Sequence, residues 1–83
     1  MKIIFKENKT IEIVRFRKLS IFNLNDIDKI NIKFINFLIV KIYYLNILTK
    51  DRKIYSFFFL KNDKESIKRE VFYIRNFMSS HLE

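Results

Sequence analysis

The residue types that most often carry catalysis are scarce in this chain. It contains no cysteine and one histidine, His81, which lies close to the last of its 83 residues. Without cysteine, a disulfide, a thiolate metal site and a cysteine nucleophile are all excluded. Because chain ends are usually frayed, we also expect no catalytic or metal-binding role for His81. The sequence therefore favours a protein that is not an enzyme.

One segment places several side-chain oxygens close together. Asn23, Asn25, Asp26 and Asp28 could in principle suit a hard cation such as calcium. The turn-forming glycine and the distal glutamate of a calcium loop are absent, and Asn and Asp favour turns because they hydrogen-bond nearby backbone. The chain has no glycine, so a glycine-rich phosphate loop is also excluded. We interpret the segment as a turn, and we expect neither a metal nor a cofactor.

Basic residues are the main candidates for binding. The net charge of +8 suggests a negatively charged partner such as an anionic membrane or nucleic acid. A second origin stays open, because abundant Ile, Lys, Asn and Phe without Gly or Pro is also what an AT-rich genome encodes. The predicted anion-binding residues are Lys6, Lys9, Arg15, Arg17 and Lys18 around a first hairpin, and Lys50, Arg52 and Lys53 in a later loop.

Aromatic residues are a second set of candidates. They make up 17% of the chain and could stack on the bases of single-stranded nucleic acid. A domain this small needs most of its aromatic side chains in its core, and a glycine-containing RNP motif is missing. Nucleic acid is therefore the less favoured partner. The stacking candidates are Tyr43, Tyr44, Tyr55 and Phe57.

Strands are the elements that must position these residues. Residues 3–6 and 10–17 are predicted to form a first hairpin, with Ile11, Ile13 and Arg15 on one face of its second strand. Residues 19–24 form a third extended segment. Residues 42–49 and 54–60 flank a four-residue loop and form the clearest hairpin.

The most apolar segment covers residues 34–48. It is shorter than the roughly 20 residues that a membrane-spanning helix requires. Its Ile, Val, Tyr and Phe residues favour a buried strand. Because strands seldom exceed about ten residues, we expect a bend near Asn36.

The hydrophobic period changes from two to that of a helix after Asn62. The spacing predicts a helix over about residues 63–80, with Asn62 or Asp63 as its cap. Since no linker or repeat divides the chain, residues 1–83 are interpreted as one domain with strands over about residues 2–60. The apolar stripe comprises Ile67, Val71, Ile74 and Met78, with Phe77 and Leu82 near its edge.

These segments together resemble a bacterial pleckstrin-homology-like (PH-like) domain over most of residues 10–80. Leu24-Asn25-Asp26-Ile27 is similar to the Leu-x-Asp-Ile sequence with which that family begins a strand. Residues 49–57 are similar to its ribbon Thr-Lys-Asp-x-Lys-x-Tyr-x-Phe. The resemblance implies an α+β fold, in which a strongly bent antiparallel sheet or partly open barrel of about six strands is closed by one C-terminal amphipathic helix.

The resemblance also implies functions. Members that bind phosphoinositides carry a lysine, a spacer and then basic-x-arginine across the first hairpin, a pattern that Lys6 and Arg15-Phe16-Arg17 match. Many members bind proteins, and some bacterial relatives are associated with protection against membrane-active bacteriocins. The leading hypothesis is a non-enzymatic module at the inner face of the membrane that binds anionic lipid or an acidic protein. Bacteriocin self-immunity is its most specific version.

Two alternatives remain at this stage. The first is a small basic nucleic-acid-binding regulator from a phage or plasmid, and the second is a protein-interaction or oligomerisation module. The N-terminal residues are interrupted by charge too early to provide the apolar stretch of a signal peptide. A cytoplasmic location is therefore expected in each case.

Overall fold

Six strands and one helix form most of residues 1–80, the part of the chain that this computed structural model describes. Short 3-10 turns at Leu24–Asp26 and Lys61–Asp63 precede β4 and the helix. The predicted α+β class and the number of strands are confirmed. The elements are β1 (Lys2–Phe5), β2 (Thr10–Arg15), β3 (Lys18–Asn23), β4 (Ile27–Phe37), β5 (Val40–Thr49), β6 (Ile54–Phe59) and α1 (Lys64–Ser80).

The strands form two antiparallel sheets of three strands each, in the orders β1-β2-β3 and β4-β5-β6. Within residues 1–80 no ladder joins β3 to β4, and the sheets do not close into a barrel. The turn between these strands gives the reason. The Asn23 side chain accepts a hydrogen bond from the backbone N–H of Asn25 at 3.0 Å, which begins a 3-10 turn where the ladder would continue. The expected single bent sheet or partly open barrel is therefore corrected to two sheets.

The core is built from both sheets and α1. Side chains alternate across β2 and β5, so that Ile11, Ile13, Leu45 and Ile47 are at most 1% exposed. Burying each such side chain contributes about 1.5–3 kcal/mol relative to leaving it in water. The other buried apolar residues are Ile3, Leu24, Ile27, Ile30, Tyr43, Phe59, Ile67, Val71 and Ile74.

The helix α1 packs against β1 and β4 and begins one residue after its predicted start. Asp63, suggested as a cap, accepts a hydrogen bond from the terminal ammonium of Met1 at 3.1 Å. Leu82, expected at the edge of the stripe, lies outside the described residues. The predicted apolar stripe is confirmed, with Ile67, Val71 and Ile74 buried and Phe77 and Met78 partly buried against the core.

The largest difference from the sequence interpretation lies between β4 and β5. The bend expected near Asn36 is a full reversal at Leu38 and Ile39, which makes β4 and β5 a long hairpin. β6 has only six residues, and its pairing with β5 ends at Tyr43. Residues 35–42, which we call the ribbon tip, therefore extend beyond the third strand. The prediction of a buried strand is wrong at these residues because no neighbouring strand covers them.

The two remaining hairpins differ in how well they were predicted. The four-residue loop between β5 and β6 is confirmed, and its ends are joined by the Thr49 N–H donating to the Lys53 carbonyl at 2.9 Å. β2 was expected to continue to Arg17 but ends at Arg15. Phe16 and Arg17 form a tight turn into β3, with φ of 47° and 64°.

Candidate functional site

The connections between strands divide the predicted cations between two ends of the molecule. In an antiparallel meander, successive connections lie at opposite ends of the sheet. The Leu24 N–H donates to the Lys9 carbonyl at 2.8 Å, and the Lys50 N–H donates to the Asp26 carbonyl at 2.9 Å. Residues 6–9, 24–26 and 50–53 are thus together, and we call this the turn end. The opposite end, with the Phe16 and Arg17 turn, the ribbon tip and residues 60–63, is the ribbon end.

The residues that match the phosphoinositide-binding pattern, Lys6 and Arg15-Phe16-Arg17, lie at different ends of the molecule. Lys6 opposes Thr10, to which it is joined by a backbone hydrogen bond of 2.9 Å, whereas Arg15 is the last residue of β2. At about 3.3 Å per residue, the five-residue separation along β2 is about 17 Å. Lys6 and Arg15 therefore lie at opposite ends of β2 and do not form one compact cluster.

The turn end brings five of the eight predicted cations together, but acidic groups accompany them. The Lys6 ammonium is 2.7 Å from the Glu12 carboxylate, and the Lys53 ammonium is 3.7 Å from that of Asp51. Asp26 lies in the same group of loops. Much of the positive charge at this end is compensated within the protein. The five cations are Lys6, Lys9, Lys50, Arg52 and Lys53.

The Thr49 side chain stabilises the ionised form of one of these acidic groups. Its hydroxyl donates a hydrogen bond to the Asp51 carboxylate, and this lowers the pKa of Asp51 below its ordinary value, with a smaller contribution from the Lys53 ammonium. The same hydroxyl contacts the Lys53 carbonyl at 3.2 Å. A carboxylate fixed in this loop opposes the binding of an anion there.

The ribbon end carries the other three predicted cations, Arg15, Arg17 and Lys18. It also has two that the sequence analysis did not select, Lys41 on β5 and Lys61 after β6. A turn predicted at Leu38 and Ile39 would have placed Lys41 at the same end as the Arg17 turn, but neither residue is a turn former.

Large apolar side chains are exposed around these cations. Leu38 is 90% and Ile39 is 100% exposed at the ribbon tip, where Phe37 and Val40 are also exposed. Phe16 in the neighbouring turn is 84% exposed. Isolated exposed apolar residues need no explanation, but a contiguous group of this size marks an interaction surface.

The backbone of these turns is unfavourable for the residues that occupy it. Phe16, Arg17 and Leu38 all have φ between 47° and 64°. Glycine and asparagine normally take such positions in two-residue hairpin turns, and a bulky residue there costs about 1 kcal/mol or more. Lys9 and Arg52 at the turn end have similar φ values of 64° and 67°, so the hairpins at both ends of this glycine-free chain share this backbone conformation.

Arg15 differs from the other cations because its side chain is half-buried. Its guanidinium carbon lies 4.9 Å from the centroid of the Phe16 ring and 5.7 Å from that of Phe58. Its Nε atom is buried and has no hydrogen-bond partner among the described residues. An arginine that contacts two rings and has no ion pair among the described residues has the chemistry of an anion site.

The predicted stacking residues do not form one exposed surface. Tyr43 is buried and stacks on Phe59 with ring centroids 5.8 Å apart. Tyr44, the next residue on β5, faces the opposite side of its sheet. Tyr55 and Phe57 on β6 pack against the Phe22 ring, with centroids 5.2 Å and 6.1 Å apart.

The other positions singled out in the sequence are the segment from Asn23 to Asp28 and His81. The segment from Asn23 to Asp26 is a 3-10 turn, which agrees with its interpretation as a turn. Across residues 1–80 no three acidic, histidine or cysteine side chains are close enough together to hold a metal ion. His81 lies outside the described residues. None of the described helical residues forms a segment with the length and apolar character needed to cross a membrane.

Comparison with known proteins returns no similarity from which a function can be transferred. No family model, no curated protein and no solved structure matches the chain. Its function must therefore be argued from the geometry of the two ends.

Proposed function

We propose that this protein is a non-enzymatic module that binds the anionic surface of a membrane through its ribbon end. The observation that carries the proposal is the exposure of Leu38 and Ile39 at the end of a ribbon that is surrounded by cations. The apolar tip enters the boundary between headgroups and acyl chains, and the cations remain at the headgroups. The cations assigned to this surface are Arg15, Arg17, Lys18, Lys41 and Lys61.

Two physical contributions support this assignment. Removing one Leu or Ile side chain from water contributes about 1.5–3 kcal/mol. Each cation close to an anionic leaflet contributes about 1 kcal/mol more. Interfacial binding depends on the sum of buried apolar area and charge attraction, and the ribbon end offers both in one place.

The proposed binding surface includes only some of the cations that the sequence suggested. The five cations of the turn end lie at the opposite end of the molecule, and two of them are ion-paired to Glu12 and Asp51. A membrane in contact with the ribbon tip leaves the turn end directed away from it. The turn-end cations are therefore outside the proposed binding surface.

The PH-like resemblance is part of the same proposal. The order of six antiparallel strands followed by one helix that packs across β1 and β4 supports it, while the open gap between the sheets is a departure from a barrel. A place at the inner face of a bacterial membrane and a role in bacteriocin self-immunity are the more specific versions. Both are supported by the resemblance alone.

The test is sedimentation with vesicles of phosphatidylglycerol and of neutral phosphatidylcholine. Ile39→Asp is expected to lower binding to anionic vesicles about tenfold or more, because an apolar side chain is lost and a negative charge is added. Ile54→Asp is the matched control. Ile54 is 69% exposed on β6 beside the turn end, so the same chemical change is expected to leave binding nearly unchanged.

Two results would remove the membrane proposal. One is equal binding of the wild type to anionic and neutral vesicles, or to neither. The other is an equal loss in Ile39→Asp and Ile54→Asp, since net charge rather than the ribbon tip would then be responsible.

A protein-interaction module is the second candidate function. Among the described strands, β1, β3, β4 and β6 each leave one edge without a hydrogen-bonded neighbour, and such edges can accept a partner strand. This role predicts that the chain self-associates with increasing concentration or captures an extended peptide. If light scattering shows a monomer at all concentrations and the protein binds vesicles, the membrane-binding function is favoured over the protein-interaction function.

Nucleic-acid binding is the remaining alternative, and it rests on the net charge. It predicts mobility shifts that weaken steeply with salt, because each neutralised phosphate releases counterions. The stacking residues do not share one exposed surface, so this alternative has less support than the other two. No shift at low salt would exclude it.

A further inference from the structure

We infer that the cleft around Arg15 holds a single anionic phospholipid, with the phosphate at the Arg15 guanidinium and one acyl chain along the cleft. The inference rests on the proposed membrane function and adds a defined lipid site to it. It concerns the half-buried cleft beside the ribbon tip, not the exposed tip itself.

The shape and lining of the cleft suit an amphiphile. Its volume is about 330 Å³, within the range of about 300–1,000 Å³ that is usual for small-molecule sites. Its walls come from the end of β2, the start of β5 and the end of β6. Most of the side chains that line it are apolar, including Val14, Phe16, Val40, Ile42, Phe58 and Leu60.

The charges around the cleft select an anion. Arg15, Lys41 and Lys61 line it, and its single carboxylate belongs to Asp63. That carboxylate is already engaged by the Met1 ammonium at 3.1 Å. The positive charge of the cleft is therefore not cancelled by the side chains that line it.

Arg15 supplies the specific recognition. Within the described residues its guanidinium has ring contacts with Phe16 and Phe58 but no ion pair, and its buried Nε has no acceptor. A phosphate presents several oxygens, and two of them can accept from the two terminal nitrogens of the guanidinium at the same time. The contacts with the Phe16 and Phe58 rings restrict the orientation of the planar group.

The position of the cleft identifies the source of the ligand as the membrane. Val40 belongs to the exposed ribbon tip and also lines the cleft, as does Ile42 at the base of the tip. When the tip enters the headgroup boundary, the mouth of the cleft lies at the depth of the phosphates. One acyl chain can then pass from the bilayer along the apolar wall without crossing water.

Methionine methyl groups provide a test in the wild-type protein. The chain has two methionines, of which Met1 lines this cleft and Met78 lies at a separate surface near Arg75. Dodecyl phosphate below its micelle concentration is expected to shift the Met1 methyl NMR signal in a saturable way, with one molecule bound per chain. Met78 is expected to stay unchanged.

Two further ligands distinguish the contribution of the negative charge from that of the alkyl chain. Dodecyl maltoside has the chain without the charge, and inorganic phosphate has the charge without the chain. Each is expected to bind about tenfold or more weakly than dodecyl phosphate. Equal binding of the maltoside, equal binding of inorganic phosphate, or an equal shift of Met78 would overturn the proposal.

Variants give the residue-level test. Arg15→Gln is expected to weaken dodecyl phosphate binding about tenfold or more, because charged hydrogen bonds are lost. Arg75→Gln, at a distant exposed position on α1, is the matched control and is expected to bind as the wild type does. If Arg15→Gln does not fold, Arg15→Lys keeps the charge but loses the fork and is expected to show an intermediate loss. Wild-type affinity in a folded Arg15 variant would overturn the site.

The lipid site and the membrane function fail in distinguishable ways. The methyl experiment contains no membrane, so it can fail while vesicles still bind through the ribbon tip. Conversely, a failure of vesicle sedimentation with intact dodecyl phosphate binding would leave a lipid-binding cleft without membrane attachment and would remove the bilayer as the source of the lipid.

Discussion

At the scale of single residues, Arg15 and Thr49 show how position along a strand changes what a side chain does. Both face the interior of their sheet, Arg15 after Ile11 and Ile13 on β2, and Thr49 as the last residue of β5. The alternation predicted from the sequence placed Arg15 on the face of Ile11 and Ile13. It could not show that the guanidinium would contact the Phe58 ring, because Phe58 comes from a distant part of the chain.

Thr49→Val tests the electrostatics of the turn end. The hydroxyl of Thr49 lowers the pKa of Asp51 in the folded state, so its removal is expected to raise that pKa towards its ordinary value. Because the folded pKa lies below the unfolded one, this hydrogen bond stabilises the protein above the unfolded pKa, and its contribution is lost as pH falls through the folded pKa. Carboxyl carbon NMR titration and urea unfolding at several pH values measure the two effects.

Thr10→Val is the control for this substitution. The Thr10 hydroxyl donates to the Asn8 side chain at 2.6 Å and does not contact Asp51. It is expected to leave the Asp51 titration unchanged. An Asp51 pKa that is the same in Thr49→Val and in the wild type would show that the hydroxyl is not the cause of the shift.

At the scale of elements, the sequence predicted those parts whose burial is decided locally. The stripe Ile67, Val71 and Ile74 needs only a helical period to be recognised, and residues 50–53 are polar between two β-rich segments. The ribbon tip was missed because its burial depends on the length of β6, a strand that begins far along the chain. An apolar segment without a covering strand has the same composition as a buried one.

Leu38 is expected to lower the stability of the fold and to strengthen membrane binding. Leu38→Gly relieves a φ of 58° and is expected to stabilise the fold by about 0.5–1 kcal/mol. It also removes an apolar side chain that is 90% exposed, so binding to anionic vesicles is expected to fall about tenfold or more. Thermal unfolding and vesicle sedimentation of the same variant measure both quantities.

Lys9→Gly is the matched control at the turn end. Lys9 has a φ of 64°, so glycine relieves a similar backbone conformation there and also removes one cation. The gain in stability is expected to be similar, while vesicle binding is expected to stay close to that of the wild type. A loss of binding in Lys9→Gly equal to that in Leu38→Gly would mean that the binding surface is not confined to the ribbon end.

At the scale of the whole molecule, the protein is elongated, and its predicted cations are divided between its two ends. The radius of gyration is 12.9 Å, against about 12 Å for a compact chain of this length, and the molecule measures 43 × 23 × 22 Å. The ribbon tip and the loops of residues 6–9 and 50–53 lie at opposite ends. The sequence predicted the cations of the first hairpin as one group, but the strand connections separate Lys6 and Lys9 from Arg15, Arg17 and Lys18.

Because the cations lie at two ends, variants can test whether membrane binding depends on the position of the charges or only on the net charge. Arg17→Gln with Lys18→Gln, and Lys50→Gln with Lys53→Gln, remove the same charge from opposite ends. At about 1 kcal/mol for each cation near an anionic leaflet, the ribbon-end pair is expected to lower vesicle binding about thirtyfold, and the turn-end pair much less. An equal loss in both would indicate a response to net charge alone. No loss in either would assign the lysine excess to the base composition of the genome, and the ribbon tip would then bind through its apolar residues without selecting anionic lipid.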